Sequence, residues 1–146
     1  MLVRVPVSVG ELLDKIVILE IKQSRMTDPD QRANVSRELR ELTRVWEEVV
    51  PDPGGRVEEI RRDLRAVNES LWEVEDALRE KEARSDFGDD FTELARAVYR
   101  TNDRRSTLKR ELNERLGSTL TEEKLHPVYA SSEGTRKSGG RGPSTG

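Results

Sequence analysis

Val57, Ile60, Leu64, Val67, Leu71, Val74 and Leu78 follow one another at alternating steps of three and four residues. That spacing places all seven on one line along a helix of about 30 residues, and no strand period reproduces it. The preceding segment repeats the rhythm with Val35, Leu39, Leu42, Trp46 and Val49. Near the start, Leu12, Ile16 and Leu19 form a stripe that Leu13 and Val17 widen. Phe91, Leu94 and Val98 open a fourth stripe, which Leu108, Leu112 and Leu116 resume. Charged residues make up 38% of the chain and the apolar set only 33%. A chain so charged folds only if its few apolar residues are concentrated on narrow seams, and here they are. The expected fold class is all-α.

Ser8 followed three residues later by Glu11 is a capping-box pattern that starts the first helix. Thr27-Asp28-Pro29 ends it, with Asp28 placed to cap the second helix and Pro29 at its first position. Pro51-Asp52-Pro53-Gly54-Gly55 separates the second helix from the third, Ser85 to Asp89 turns into the fourth, and Gly117 closes that one. The expected helices span 9–26, 29–50, 56–85 and 89–116. At ~1.5 Å per residue the last two reach roughly 40–45 Å and the first two only ~27 and ~33 Å. Short connections imply antiparallel neighbours. The expectation is a single domain over residues 1–130, an antiparallel bundle of about four helices. Its long C-terminal helical hairpin carries a coiled-coil-like seam that outruns the shorter hairpin beside it. Residues 131–146 hold five of the ten glycines and are expected to be a disordered, basic tail. Residues 1–7 alternate Val3, Val5 and Val7 like a strand in need of a partner, for which residues 125–130 or a second copy are the candidates.

The absence of cysteine excludes disulfides, thiolate chemistry and Cys-based zinc sites. The longest uncharged runs, 5–10 and 16–19, are far short of the ~20 apolar residues that cross a bilayer. Arg4 and Pro6 interrupt any signal-peptide core, so a cytoplasmic protein without membrane attachment is expected. The tail carries net +2, which leaves −5 on the body and argues against indiscriminate nucleic-acid binding. Between Arg96 and Arg115, seven basic residues face three acidic ones. Such a run usually forms a solvated face; nucleic-acid binding through it is the third functional reading.

The fourth stripe contains an anomaly. Continuing it from Val98 puts Thr101 or Asn102, and then Arg105, where apolar residues belong. A charge in a helical seam costs several kcal/mol unless it is paired or hydrated. Tyr99, Asn102, Ser106, Lys109 and Asn113 share the adjoining face at helical spacing, and Asn68, Trp72, Glu75 and Arg79 form a second stripe on the third helix. One reading is a polar pocket between the third and fourth helices, bordered by Asp14, Lys15 or Glu20, that holds a small anionic or sugar-like ligand. The other is a buried polar network, with Arg105 paired to Glu75 or Asp14, that sets helix register or mates two subunits. The second is the simpler.

Familiar catalytic constellations fit poorly. Glu73 with Asp76, and Glu38 with Glu41, have the carboxylate spacing of all-α nucleotide pyrophosphohydrolases, but Asp76 points away from the seam. The first helix is similar to that of small helical chorismate mutases, yet only Arg25 falls near one of their anion-binding positions. His126 is the only histidine and sits beside Pro127 near the tail. Gly139-Gly140-Arg141-Gly142 follows no strand and opens no helix, so it is no phosphate loop. No cofactor and no metal site are expected, and no residue is nominated as catalytic.

Three phrases resemble a bacterial family of small helical proteins classed as a domain of unknown function. They are the run from Ser8 to Lys22, the run from Asn68 to Asp76, and Val98 to Arg105 with Lys109 and Asn113. The resemblance covers about residues 5–125. It implies location and no activity, with a slight lean towards sugar-linked or nucleotide-sugar ligands. It singles out Asn68, Trp72, Asp76, Tyr99, Asn102, Asp103, Arg105, Lys109 and Asn113, and on the first helix Asp14 and Lys15 among others. The leading expectation is a non-enzymatic interaction or scaffolding module. It self-associates, a dimer being favoured, and can also take a protein partner. A ligand-binding or enzymatic bundle centred on the fourth helix is the alternative.

Overall fold

The computed structural model describes residues 1–125. Four helices follow one another: α1 Val9–Arg25, α2 Pro29–Val49, α3 Gly54–Ala83 and α4 Asp89–Leu116. The seams behave as their spacing demands, and every boundary lies within two residues of the expected one. Ser8 caps α1 by accepting the Glu11 amide at 3.0 Å, and Asp28 caps α2 by accepting the Gln31 amide at 2.9 Å. Gly117 ends α4 in the left-handed region at φ 62°, where a β-carbon is strained, so the helix stops there.

The arrangement of the two hairpins is more specific than the sequence implied. α1 is the central helix, packed against α2, α3 and α4, whereas α2 packs closely against α1 alone. α3 and α4 run antiparallel, their base locked by Arg56, whose Nε and Nη2 reach the two carboxylate oxygens of Glu111 at 2.7 and 2.8 Å. Leu12, Leu13, Ile16, Val17 and Ile21 of α1 meet Trp46 of α2, Val57, Ile60, Leu64 and Val67 of α3, and Leu108 and Leu112 of α4 in one core. The core occupies only the proximal half of the long hairpin. No α3 residue beyond Leu71 is buried, and no α4 residue before Leu108. There Val74, Leu78, Phe91, Leu94 and Val98 are half-buried, so the hairpin protrudes as two helices with their shared seam partly bare.

Residues 1–7 form no strand. They run irregularly over the surface with Leu2, Val3 and Val5 about 70% exposed, because no neighbouring edge among the described residues offers them backbone partners. The expectations for residues 126–146, including the tail and His126, lie outside the described residues. Among those described, no helix is long and apolar enough to cross a membrane.

Candidate functional site

Asp14 sits on the apolar face of α1, with Leu13 before it and Val17 one turn on, and its side chain is fully buried. A carboxylate there must be neutralised and fully hydrogen-bonded. Arg105 supplies most of this. Its Nε lies 3.0 Å from both oxygens, and its Nη2 lies 2.5 Å from Oδ2. Asn68 donates through Nδ2 to Oδ1 at 3.0 Å and to the carbonyl of Leu64 at 2.9 Å. Asn102 accepts a longer contact from Nη1 of Arg105, at 3.4 Å. The hydrogen bond with Asp14 outweighs burial and raises the Arg105 pKa above its ordinary value. Three N–H groups thus face the Asp14 carboxylate, the Arg105 Nε hydrogen being shared between its two oxygens.

One turn along α4 a second cluster ties the same helices. Lys109 reaches Oε2 of Glu11 at 2.6 Å and Oε2 of Glu122 at 2.7 Å. Burial opposes the charge on this ammonium, but its two carboxylate partners outweigh burial and raise its pKa. Burial likewise works against the ionised Glu122, and the hydrogen bonds from Lys109 and Ser8 reverse that and lower its pKa. Ser8 accepts from the Glu11 amide while donating to Glu122 at 2.9 Å, so Ser8, Glu11, Lys109 and Glu122 form a closed ring of contacts. Only half of the expected capping box therefore forms, since the Glu11 side chain turns to Lys109.

Beyond Lys109, α4 caps the start of α1. The Gly10 amide donates to Oδ1 of Asn113 at 2.7 Å, and the Val9 amide donates to Oγ of Ser118 at 3.3 Å. Gly10 is required by proximity. A β-carbon there would stand 2.6 Å from the carbonyl oxygen of Lys109 and 2.9 Å from Oδ1 of Asn113. Asn113 is buried, and its Nδ2 has no hydrogen-bond partner among the described residues. The contacts Gly10 to Asn113, Glu11 to Lys109 and Asp14 to Arg105 run in opposite order along the two helices, which fixes α1 antiparallel to α4.

The candidate residues divide accordingly. Asp14, Asn68 and Arg105 converge, with Asn102 at their edge; Lys109 and Asn113 adjoin them. The expected pocket between α3 and α4 is instead a network between α1 and α4, to which α3 lends Asn68. The partner of Arg105 is Asp14, not Glu75. Trp72 packs against the rim of the core with the Arg25 guanidinium 5.5 Å from its ring centre. Asp76 is exposed, 3.7 Å from Arg79. Tyr99 is half-exposed, Asp103 pairs with Lys124, and Lys15 is exposed, 3.9 Å from Glu11. Glu122 carries no signal in the sequence pattern, and helical spacing marks Glu11 as a cap rather than as a partner of Lys109.

Two shallow concavities mark the surface. One of ~360 Å³ lies between Pro6, Val7, Val9 and residues 116–120. The other, of ~410 Å³, runs along the distal hairpin between Lys81, Asp90, Glu93 and Leu94. Neither is lined by Asp14, Asn68 or Arg105. No family model, curated protein or solved structure matches the chain.

Proposed function

We propose that this protein is a non-enzymatic helical interaction module that associates with itself through the distal half of the α3–α4 hairpin. The observation that carries the reading is the bare seam. Val74, Leu78, Phe91, Leu94 and Val98 continue the core pattern past the last buried residue of each helix, where no third helix covers them. An apolar strip rimmed by polar residues is the usual form of a protein contact surface. The polar residues of α4 support the same reading from the other side. Arg105 and Lys109 pair with Asp14 and Glu11 of α1, as parts that hold the hairpin at a fixed angle to the bundle, and the Asp14 carboxylate is fully buried.

Light scattering coupled to size-exclusion chromatography, from about 1 µM to about 100 µM, tests this directly. A mass that rises with concentration towards twice the chain's 16.7 kDa is expected. A mass that stays at one chain throughout would remove self-association from the proposal.

A further inference from the structure

The exposed face of α4 carries a charge pattern whose sign inverts when it is read in the opposite direction. Asp90, Glu93, Ala97, Arg100 and Arg104 are spaced by three, four, three and four residues, so they share one stripe of the helix. Two acids lie seven and four residues before the alanine, and two arginines three and seven residues after it. Leu94 and Thr101 flank the stripe on the core side. The wider hairpin repeats the polarity. From Glu73 to Glu93, nine acidic residues face three basic ones, a net charge of −6, whereas the run from Arg96 to Arg115 carries net +4.

Within the chain this pattern is largely unused. Arg100 and Arg104 are exposed and have no ion-pair partner among the described residues, and neither do Glu80, Glu82 and Asp89. Asp90 is nine-tenths exposed and meets only Lys81, at 3.9 Å. Glu93 has its own helix neighbour, Arg96, at 3.0 Å. Asp90, Glu93 and Leu94 also line the ~410 Å³ concavity on the distal hairpin.

We infer that the occupant of this face is a second copy of the same chain, laid antiparallel along α4 about a two-fold axis at Ala97. In a two-fold contact each residue meets its counterpart reflected through the axis. An axis at Ala97 sets Asp90 against Arg104 of the second copy and Glu93 within one residue of Arg100, and the reverse pairs follow by symmetry. Ala97 at the centre lets the two helices approach closely, and Leu94 with Thr101 closes the flank over the bare seam. A parallel arrangement would set acid against acid. Ion pairs this exposed contribute little affinity; they select orientation and register, while the half-buried Leu94, Val98 and Leu78 supply the apolar contact.

This inference rests on the self-association proposed above, and charge exchange separates the two. The variant Arg100→Glu/Arg104→Glu carries only acids on the stripe, and Asp90→Lys/Glu93→Lys only bases. All four side chains are exposed, so circular dichroism is expected to show both variants folded. By light scattering and sedimentation, each variant alone should associate at least tenfold more weakly than wild type. An equimolar mixture should restore a 1:1 heterodimer. If each variant dimerises as well as wild type, or if the mixture stays monomeric, the antiparallel α4 contact is wrong while self-association stands. A wild type that is monomeric throughout overturns both.

Discussion

Arg105 grips the buried carboxylate of Asp14 through Nε and Nη2, so the one charge that interrupts the α4 seam joins α4 to the central helix. Desolvating two charges roughly cancels their attraction, so such a pair sets geometry more than stability. Here it fixes the rotation of α4 against α1 at the level where the buried core of the long hairpin ends.

Removing one partner should therefore be far worse than removing both. Arg105→Met leaves Asp14 buried with Asn68 as its only partner, at an expected cost of about 3–5 kcal/mol. Asp14→Leu/Arg105→Met replaces the pair with apolar volume, and Asn68 keeps its bond to the Leu64 carbonyl. It should recover most of that loss. Urea unfolding of wild type, both single variants and the double variant measures the coupling. A double variant as unstable as the two single losses added together would mean that the two residues act independently.

Gly10 and Gly55 give opposite expectations for the same substitution. At Gly10 the new β-carbon would meet the Lys109 carbonyl at 2.6 Å, a backbone atom that cannot move without parting the helices. Gly10→Ala should cost about 1–3 kcal/mol, despite the better helix propensity of alanine. Around Gly55 nothing lies within 4 Å. Gly55→Ala should be neutral or stabilise by up to ~1 kcal/mol, and denaturant midpoints for the two variants should move in opposite directions.

The helices were legible because each carries its own period and its own caps, and Arg105 was legible as a break in that period. What joined the helices was less so. Glu11 looked like a local cap because Ser8 stands three residues before it, and no single-helix pattern reveals that Lys109 draws it away. Glu122 lies past the end of α4, in irregular chain with no periodicity to mark it. Tyr99, Asp76 and Asp103 share a helical neighbourhood with the network, but the rotation of each helix turns them outward, and sequence spacing alone does not fix that rotation.

The ring of Ser8, Glu11, Lys109 and Glu122 should show in the pH dependence of stability. The Glu122 pKa is lowered below 4.5 in the folded state, so its contribution is present above that value and is lost as pH falls through the folded pKa. Lys109 is raised above 10.5, so its contribution holds below that value and disappears as pH climbs past the folded pKa. Both effects are small, because Glu122 is about half exposed to screening solvent. Denaturant unfolding should find wild type more stable than Glu122→Gln near pH 7, with the gap closing below about pH 4.5. A gap that stays constant down to about pH 3 would separate Glu122 from the ring.

The protruding half of the hairpin should be both locally weak and dependent on concentration. Leu64 has no exposed surface, so Leu64→Ala should cost about 2–5 kcal/mol at any protein concentration. Leu78 continues the same seam where it is half bare, and Leu78→Ala in an isolated chain should cost only about 1 kcal/mol. Amides from α3 beyond Leu71 and from α4 before Leu108 should exchange by local opening, at lower free energy than those of the proximal core. If a second copy covers the seam, their protection should rise as concentration passes the dimer dissociation constant, and the cost of Leu78→Ala should rise with it. Exchange of amides around Leu64 should stay unchanged over that range, since the proximal core is complete within one chain. Uniform protection along α3 and α4 at low concentration would mean that the distal seam needs no partner to hold it.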